Sequence, residues 1–252
     1  NVIFDNVILI GREGKFDSHG NKEISSLYAN DHQLIIGTGV LCGETSDGKG
    51  VQIFGGSQSG YSTDTDIRIF SGKYSSIIGG SDTGDVGTTS VTLLGGQVTD
   101  TIYGGSLGTS NTDQGDVKHT RVLVVGGEIF DSSNKKYEFN QNYQTIVGGS
   151  RLSGTVDSSE VTVSHLGKAY AVQGGGRSGT GTITNSTDVT ISGKAEIYYM
   201  VCGSVTDGNN EPNHIPVGSS HVTIDHAAVI GSGTSGSGNV YAGGWDTNTN
   251  SL

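Results

Sequence analysis

Short apolar alternations, each closed by glycine, run along almost the whole chain. Two motifs carry the pattern. One is an alternating quartet, seen as "IRIF" (67–70), "VTLL" (91–94), "VLVV" (122–125), "VTVS" (161–164), "VTIS" (189–192) and "VTID" (222–225). The other ends in glycine: "QIFGGS" (52–57), "SIIGGS" (76–81), "TIYGGS" (101–106), "TIVGGS" (145–150), "AVQGGG" (171–176), "YMVCGS" (199–204) and "VYAGGW" (240–245). A period of two predicts strands. Glycine pairs beginning at 55, 79 and 104 stand 24 and 25 residues apart, the length of one coil of a β-solenoid. No strict six-residue apolar period occurs, so the expected fold is an all-β, right-handed parallel β-helix. About eight coils are expected, in one domain over 1–252. Residues 1–50 would form entry or capping coils and 51–252 regular coils, with insertions at 106–120, 128–144 and 204–220.

Alternation assigns a direction to each side chain. Ile53, Ile77, Ile102, Ile146 and Val172 should point inward and stack as an aliphatic ladder about 4.8 Å apart. Val91 with Leu93, Val161 with Val163, Val189 with Ile191 and Val222 with Ile224 should do the same from the other strand. The glycines are expected to allow a sharp turn with φ > 0, or to avoid a Cβ clash with the coil above. Ser57, Ser81, Ser106, Ser150 and Ser204 are expected to form a hydroxyl ladder that satisfies turn carbonyls. In "YMVCGS", Cys202 reads as a replacement for a glycine. The residue before the glycine pair should face out, so Phe54, Ile78, Tyr103 and Val147 predict an exposed apolar stripe suited to interaction.

Composition narrows the function. With 43 glycines, 2 prolines and recurrent Val, Ile and Thr, the glycines punctuate strands rather than mark disorder. A net charge of −11 with scattered acids argues against nucleic acid and anionic membrane as partners. No run of about 18 apolar residues predicts membrane insertion. The start, "NVIFDNVILIG", lacks a signal-peptide pattern, and "NTNSL" offers no closing cap, so a mature or excised piece of a longer secreted chain is expected. Cys42 and Cys202 lie 160 residues apart, and no disulfide is expected between them.

The segment "VTLLGGQVTDTIYGGSLG" (91–108) resembles the V-x-I-x-G-G and V-Y-G-G-G units of parallel β-helical repeat regions in large surface proteins of Gram-positive gut bacteria. "NVIFDNVILIG" and "QLIIGTGV" (33–40) are similar to the entry coils of such regions. The resemblance implies an extracellular or cell-surface, adhesin-like scaffold that binds a glycan or a host or bacterial surface protein. Its motifs are architectural, and it implies no catalytic residue.

Candidate sites lie mainly on loops. The insertion 128–144 joins Lys135 and Lys136 to Tyr137, Phe139 and Tyr143, with Asn140 and Asn142 alongside, a mixture suited to sugar or protein recognition. Asp64, Asp66, Asp82 and Asp85 fall on consecutive coils, where turns would gather them around a structural calcium ion; no other cofactor is expected. The alternative to a binding scaffold is a β-helical polysaccharide lyase or glycoside hydrolase. "NTD" (111–113) is similar to one motif of polygalacturonase-type hydrolases, but the paired aspartate, G-H-G and R-I-K motifs are missing. Asp113 and Asp116 would carry that chemistry; the same insertion holds His119, and the insertion at 204–220 holds Asp207, Glu211 and His214. The histidines show no metal-ligand spacing.

Overall fold

The computed structural model describes residues 1–10, 25–43, 50–108, 114–129, 145–176, 182–204, 206–207, 218–226, 228–231, 238–243 and 245–246. These residues form an all-β, solenoid-like fold whose sheets are parallel throughout and among which there is no helix. The first sheet has eight strands stacked in chain order: Val2–Phe4, Gln33–Ile36, Ser62–Ile69, Val86–Leu93, Val117–Val124, Thr155–Val163, Thr182–Ile191 and Ser219–Ile224. The second, eleven-stranded sheet contains Ser26–Tyr28, Val51–Phe54, Lys73–Ile78, Lys168–Gln173 and Glu196–Cys202. Its other strands come as split halves: Gln97–Val98 with Ile102–Tyr103, Glu128–Ile129 with Thr145–Val147, and Val229–Ile230 with Asn239–Tyr241. The chain alternates between the two sheets, and the insertion 130–144 leaves from within a strand position of the second. The first 43 residues already supply strands in register to both sheets.

The core is built as columns. Ile36, Ile69, Leu93, Val124, Val163 and Ile191 stack in register and are fully buried, facing the column Ile53, Ile77, Ile102, Ile146, Val172 and Val201. Each such side chain contributes about 1.5–3 kcal/mol on burial. The inward pairs expected in the long strands are present, except at the last strand, where Val222 is partly buried and Ile224 is 41% exposed. A smaller column, Val86, Val117, Val156 and Ile183, forms a separate cluster near the starts of the long strands.

Between the two clusters lies a buried polar seam. Thr65, Thr89, Thr120, Ser159 and Thr187 occupy one register position of the long-strand sheet. Their hydroxyls donate to the carbonyls of Gly79, Gly104, Gly148, Gly174 and Gly203, at 2.6 Å for the first three. The first glycine of each pair is required by this close approach. A Cβ on Gly55, Gly79, Gly104 or Gly148 would collide with the carbonyl oxygen of the next glycine in the column, and none of the four has positive φ. Of the two expected reasons for glycine, the clash holds and the left-handed backbone does not. Left-handed glycines sit instead at the corner between the sheets, as Gly72, Gly96 and Gly127. Later coils use a corner one residue longer, with His165, Gly193 and His226 in that conformation.

Two further expectations are refined. The serine ladder exists, and Ser57 Oγ and Ser106 Oγ donate to the carbonyls of Ser59 (2.9 Å) and Gly84 (3.5 Å) as expected. The ladder hydroxyls also accept backbone N–H groups: Ser57 N–H donates to Ser81 Oγ (3.2 Å), Ser81 N–H to Ser106 Oγ (3.2 Å) and Ser106 N–H to Ser150 Oγ (3.1 Å). Cys202 does not replace a glycine. It pairs with Gln173 in the position before the glycine, Gly203 continues the first-glycine column, and Ser204 takes the place of the second. Ala242 and, at the other end, Ala29 stand in the first-glycine column, so the motif extends beyond its glycine signature.

Gly104→Ala is therefore expected to destabilise the fold by about 2–5 kcal/mol, because the displaced atom is backbone. Thr120→Val, which keeps the shape but leaves a buried carbonyl unpaired, should cost about 1–3 kcal/mol. Gly243→Ala, where a Cβ meets nothing within 4 Å, should stay within about 0.5 kcal/mol of the parent. Urea unfolding of the three variants checks the order; equal effects would mean that the seam does not hold the sheets.

Candidate ligand-binding face

The residues before the glycines do not form an exposed stripe. Phe54, Ile78, Tyr103 and Val147 are buried, at 1%, 0%, 3% and 0% exposure, and form their own cluster with Tyr28 and Leu107 packed against it. Alternation did send them away from the main core, but that side of the sheet is itself covered. Tyr28 stacks on Phe54 at 4.6 Å. Burial pushes the Asp82 carboxyl above the usual carboxylate range. Burial, followed by the Asp82 charge, also raises the Tyr28 hydroxyl, against a lowering hydrogen bond with Ser26. Further along the sheet, Ala171, Met200 and Cys202 are covered by Tyr170, Tyr199 and Tyr241, with Tyr170 and Tyr199 stacked at 5.3 Å.

Of the four aspartates expected to gather around calcium, Asp64, Asp66 and Asp85 are engaged separately, and the Asp82 carboxylate acts on Tyr28. Asp64 accepts from Thr88 Oγ1 at 2.5 Å. Asp66 accepts from Gln33 Nε2 (2.6 Å) and pairs with Arg68 (2.9 Å). Asp85 accepts from the N–H groups of Gly115 (3.2 Å) and Asp116 (3.0 Å). Among the described residues no group of three or more His, Cys, Asp and Glu side chains is placed to hold a metal ion. The strand period explains this: Asp64 and Asp66 lie on the long strand, while Asp82 and Asp85 lie in the turn before the next one.

Of the hydrolase candidates, Asp116 is a fastener, accepting from Thr155 N–H (2.6 Å) and Thr155 Oγ1 (2.9 Å) in the next coil. Asp113, Glu211 and His214 lie outside the described residues, as do Lys135, Lys136, Tyr137, Phe139 and Tyr143. His119 belongs to the strand Val117–Val124 rather than to a loop.

What the structure assembles is the outer face of the eight-stranded sheet. Asp66, Ser90, Arg121, Glu160, Asp188 and His221 form one column in register. Asp64, Thr88, His119, Ser158, Ser186 and Ser219 form a second beside it. All twelve are partly or fully exposed. At the strand spacing of about 4.8 Å the face extends roughly 30 Å. Ion pairs cross it: Arg121 Nε lies 3.8 Å from Glu160, His119 Nε2 lies 3.8 Å from Glu160, and His221 Nδ1 lies 3.4 Å from Asp188. His119 Nδ1 lies 2.8 Å from Ser158 Oγ. These groups flank the seam residues Thr120 and Ser159, whose buried hydrogen bonds fix the strand on which they stand. Chemically the face offers alternating hydroxyls, carboxylates and cations to a polar ligand.

Comparison with protein-family models, with curated proteins and with solved structures gives no match.

Two measurements follow from the buried groups. The folded value for Asp82 lies above its ordinary 3.8. Between those two values the folded chain holds a proton that the unfolded chain has lost, so stability falls as pH rises through that window and stays lower above it. Asp82→Asn should therefore be more stable than the parent at neutral pH and lose that gain below 3.8; a pH-independent difference in urea midpoints would contradict the cause given. Cys202 is a free, fully buried thiol that burial pushes up to about 12. Peptide mapping after iodoacetamide treatment should find Cys202 unmodified in the native protein and modified after unfolding.

Proposed function

We propose that the chain is a right-handed parallel β-helix of about eight coils and an extracellular, cell-surface scaffold that binds a glycan along the outer face of the long-strand sheet. The observation that carries this reading is that face: in-register columns of hydroxyl, acidic and basic side chains on a fixed backbone, repeating at about the length of one sugar residue. The surface location rests on the resemblance of the repeat unit to adhesin-like repeat regions. Binding is favoured over polysaccharide cleavage because Asp116, one of the hydrolase candidates, and Asp85 beside it are spent on joining coils.

A protein partner is the second reading, and one feature favours it. Phe70, Leu94 and Leu166, at 41%, 37% and 66% exposure, stand with Val125 at the corner between the sheets in consecutive coils. They form an apolar ridge that a surface protein would cover.

Binding to a polysaccharide panel tests the first reading. Arg68→Ala combined with Asp188→Ala should weaken capture at least about tenfold, equivalent to about 1.4 kcal/mol, with unchanged thermal stability. Tyr137→Ala and Phe139→Ala report on the insertion; loss confined to these would move the site from the face to the loop. New reducing ends after long incubation would overturn the scaffold reading.

A further inference from the structure

We propose that Ser158, His119 and Glu160 form an acyl-transfer site that removes a short ester-linked acyl group, such as O-acetyl, from the glycan lying on this face. The inference rests on the glycan reading for its substrate and on geometry for its chemistry. Ser158 Oγ lies 2.8 Å from His119 Nδ1, and Glu160 Oε1 lies 3.8 Å from His119 Nε2 on the opposite side of the ring. A nucleophile hydrogen-bonded to a base, and an acid close to the base's other ring nitrogen, are thereby brought together. The other imidazole–carboxylate pairs, His221 with Asp188 and His226 with Asp225, show no hydroxyl bonded to the ring among the described residues.

The site is held from beneath. Ser158 and Glu160 flank Ser159, and His119 and Arg121 flank Thr120, and both central hydroxyls are tied to glycine carbonyls in the buried seam. Neither strand can shift without breaking a buried hydrogen bond, so the outward groups keep their spacing.

In the reaction, Ser158 Oγ adds to the ester carbonyl carbon as its proton passes to His119 Nδ1. Backbone N–H groups in a paired parallel sheet are engaged in the ladder, so the Arg121 guanidinium, two residues from His119 on the same strand, meets the developing oxyanion. Collapse breaks the bond to the glycan oxygen, which takes the proton from His119 and leaves as an alcohol. Water then gives a proton to His119 and adds to the acyl carbon; collapse releases the carboxylic acid and returns the proton to Ser158. Glu160 steadies the Nε2–H side of the imidazolium throughout. His119, Ser158 and Glu160 stand partly or fully exposed on the sheet, which suits a short acyl group.

The test joins three readouts: 4-nitrophenyl acetate hydrolysis, fluorophosphonate labelling mapped by mass spectrometry, and acetate release with binding on one O-acetylated polysaccharide. Label is expected on Ser158. Ser158→Ala and His119→Gln should each lower ester hydrolysis at least about 100-fold, and Ser158→Ala should release no acetate from the polymer. Hydrolysis equal to that of Ser158→Ala, or label confined to other residues, overturns the proposal. Polymer bound without acetate release overturns the esterase and leaves the glycan reading standing. Ser158-dependent ester hydrolysis with no polymer binding supports the chemistry and overturns the glycan reading.

Discussion

The fold depends on a hydrogen bond between a hydroxyl on one sheet and a glycine carbonyl on the other, made five times along the axis. A buried carbonyl without a donor costs about 1–3 kcal/mol, and the chain bends at these glycines. The Thr or Ser hydroxyl supplies the missing donor. Glycine supplies the approach, since a Cβ at Gly55, Gly79, Gly104 or Gly148 would stand where the next carbonyl oxygen lies. Neither half works alone, and the seam divides the interior into a main apolar core and the smaller column at Val86, Val117, Val156 and Ile183.

Similar logic governs the acids. In a repeat stacked at about 4.8 Å, a carboxylate lies within reach of donors in the next coil. Asp64, Asp85, Asp116 and Asp157 each accept from a residue one coil away. The negative charge is therefore dispersed as links between coils rather than pooled at one site. Among the described residues no three such groups converge on one point.

Much of the architecture was legible because inward aliphatic positions and close-packed glycines admit few substitutes; Ile53, Ile77, Ile102 and Ile146 lie in the core as alternation requires. Alternation gives a direction but not what covers the far side, and so Phe54, Ile78, Tyr103 and Val147 read as exposed when they are buried. Alignment on glycine pairs misplaced Cys202 by one residue, because its motif carries a single glycine and the column holds Ala at its ends, Ala29 and Ala242. The seam also stood in the sequence, as Thr or Ser two residues before each apolar pair, in "TDIRI", "TSVTL", "TRVLV", "SEVTV" and "TDVTI". A search tuned to apolar periodicity treats those hydroxyls as surface residues.

The polar face was illegible for a different reason. His119 and Ser158 are 39 residues apart, whereas Thr65 and the glycine it reaches are 14 apart. In a parallel stack, contact follows register, and register survives an insertion of any length that leaves and returns at one strand position. Residues 130–144 lengthen one coil without shifting Ile102 from Ile146 or Thr120 from Ser159. Sequence spacing near an insertion therefore says little about contact. The constant elements that flank it, here the seam hydroxyls, fix which outward side chains meet.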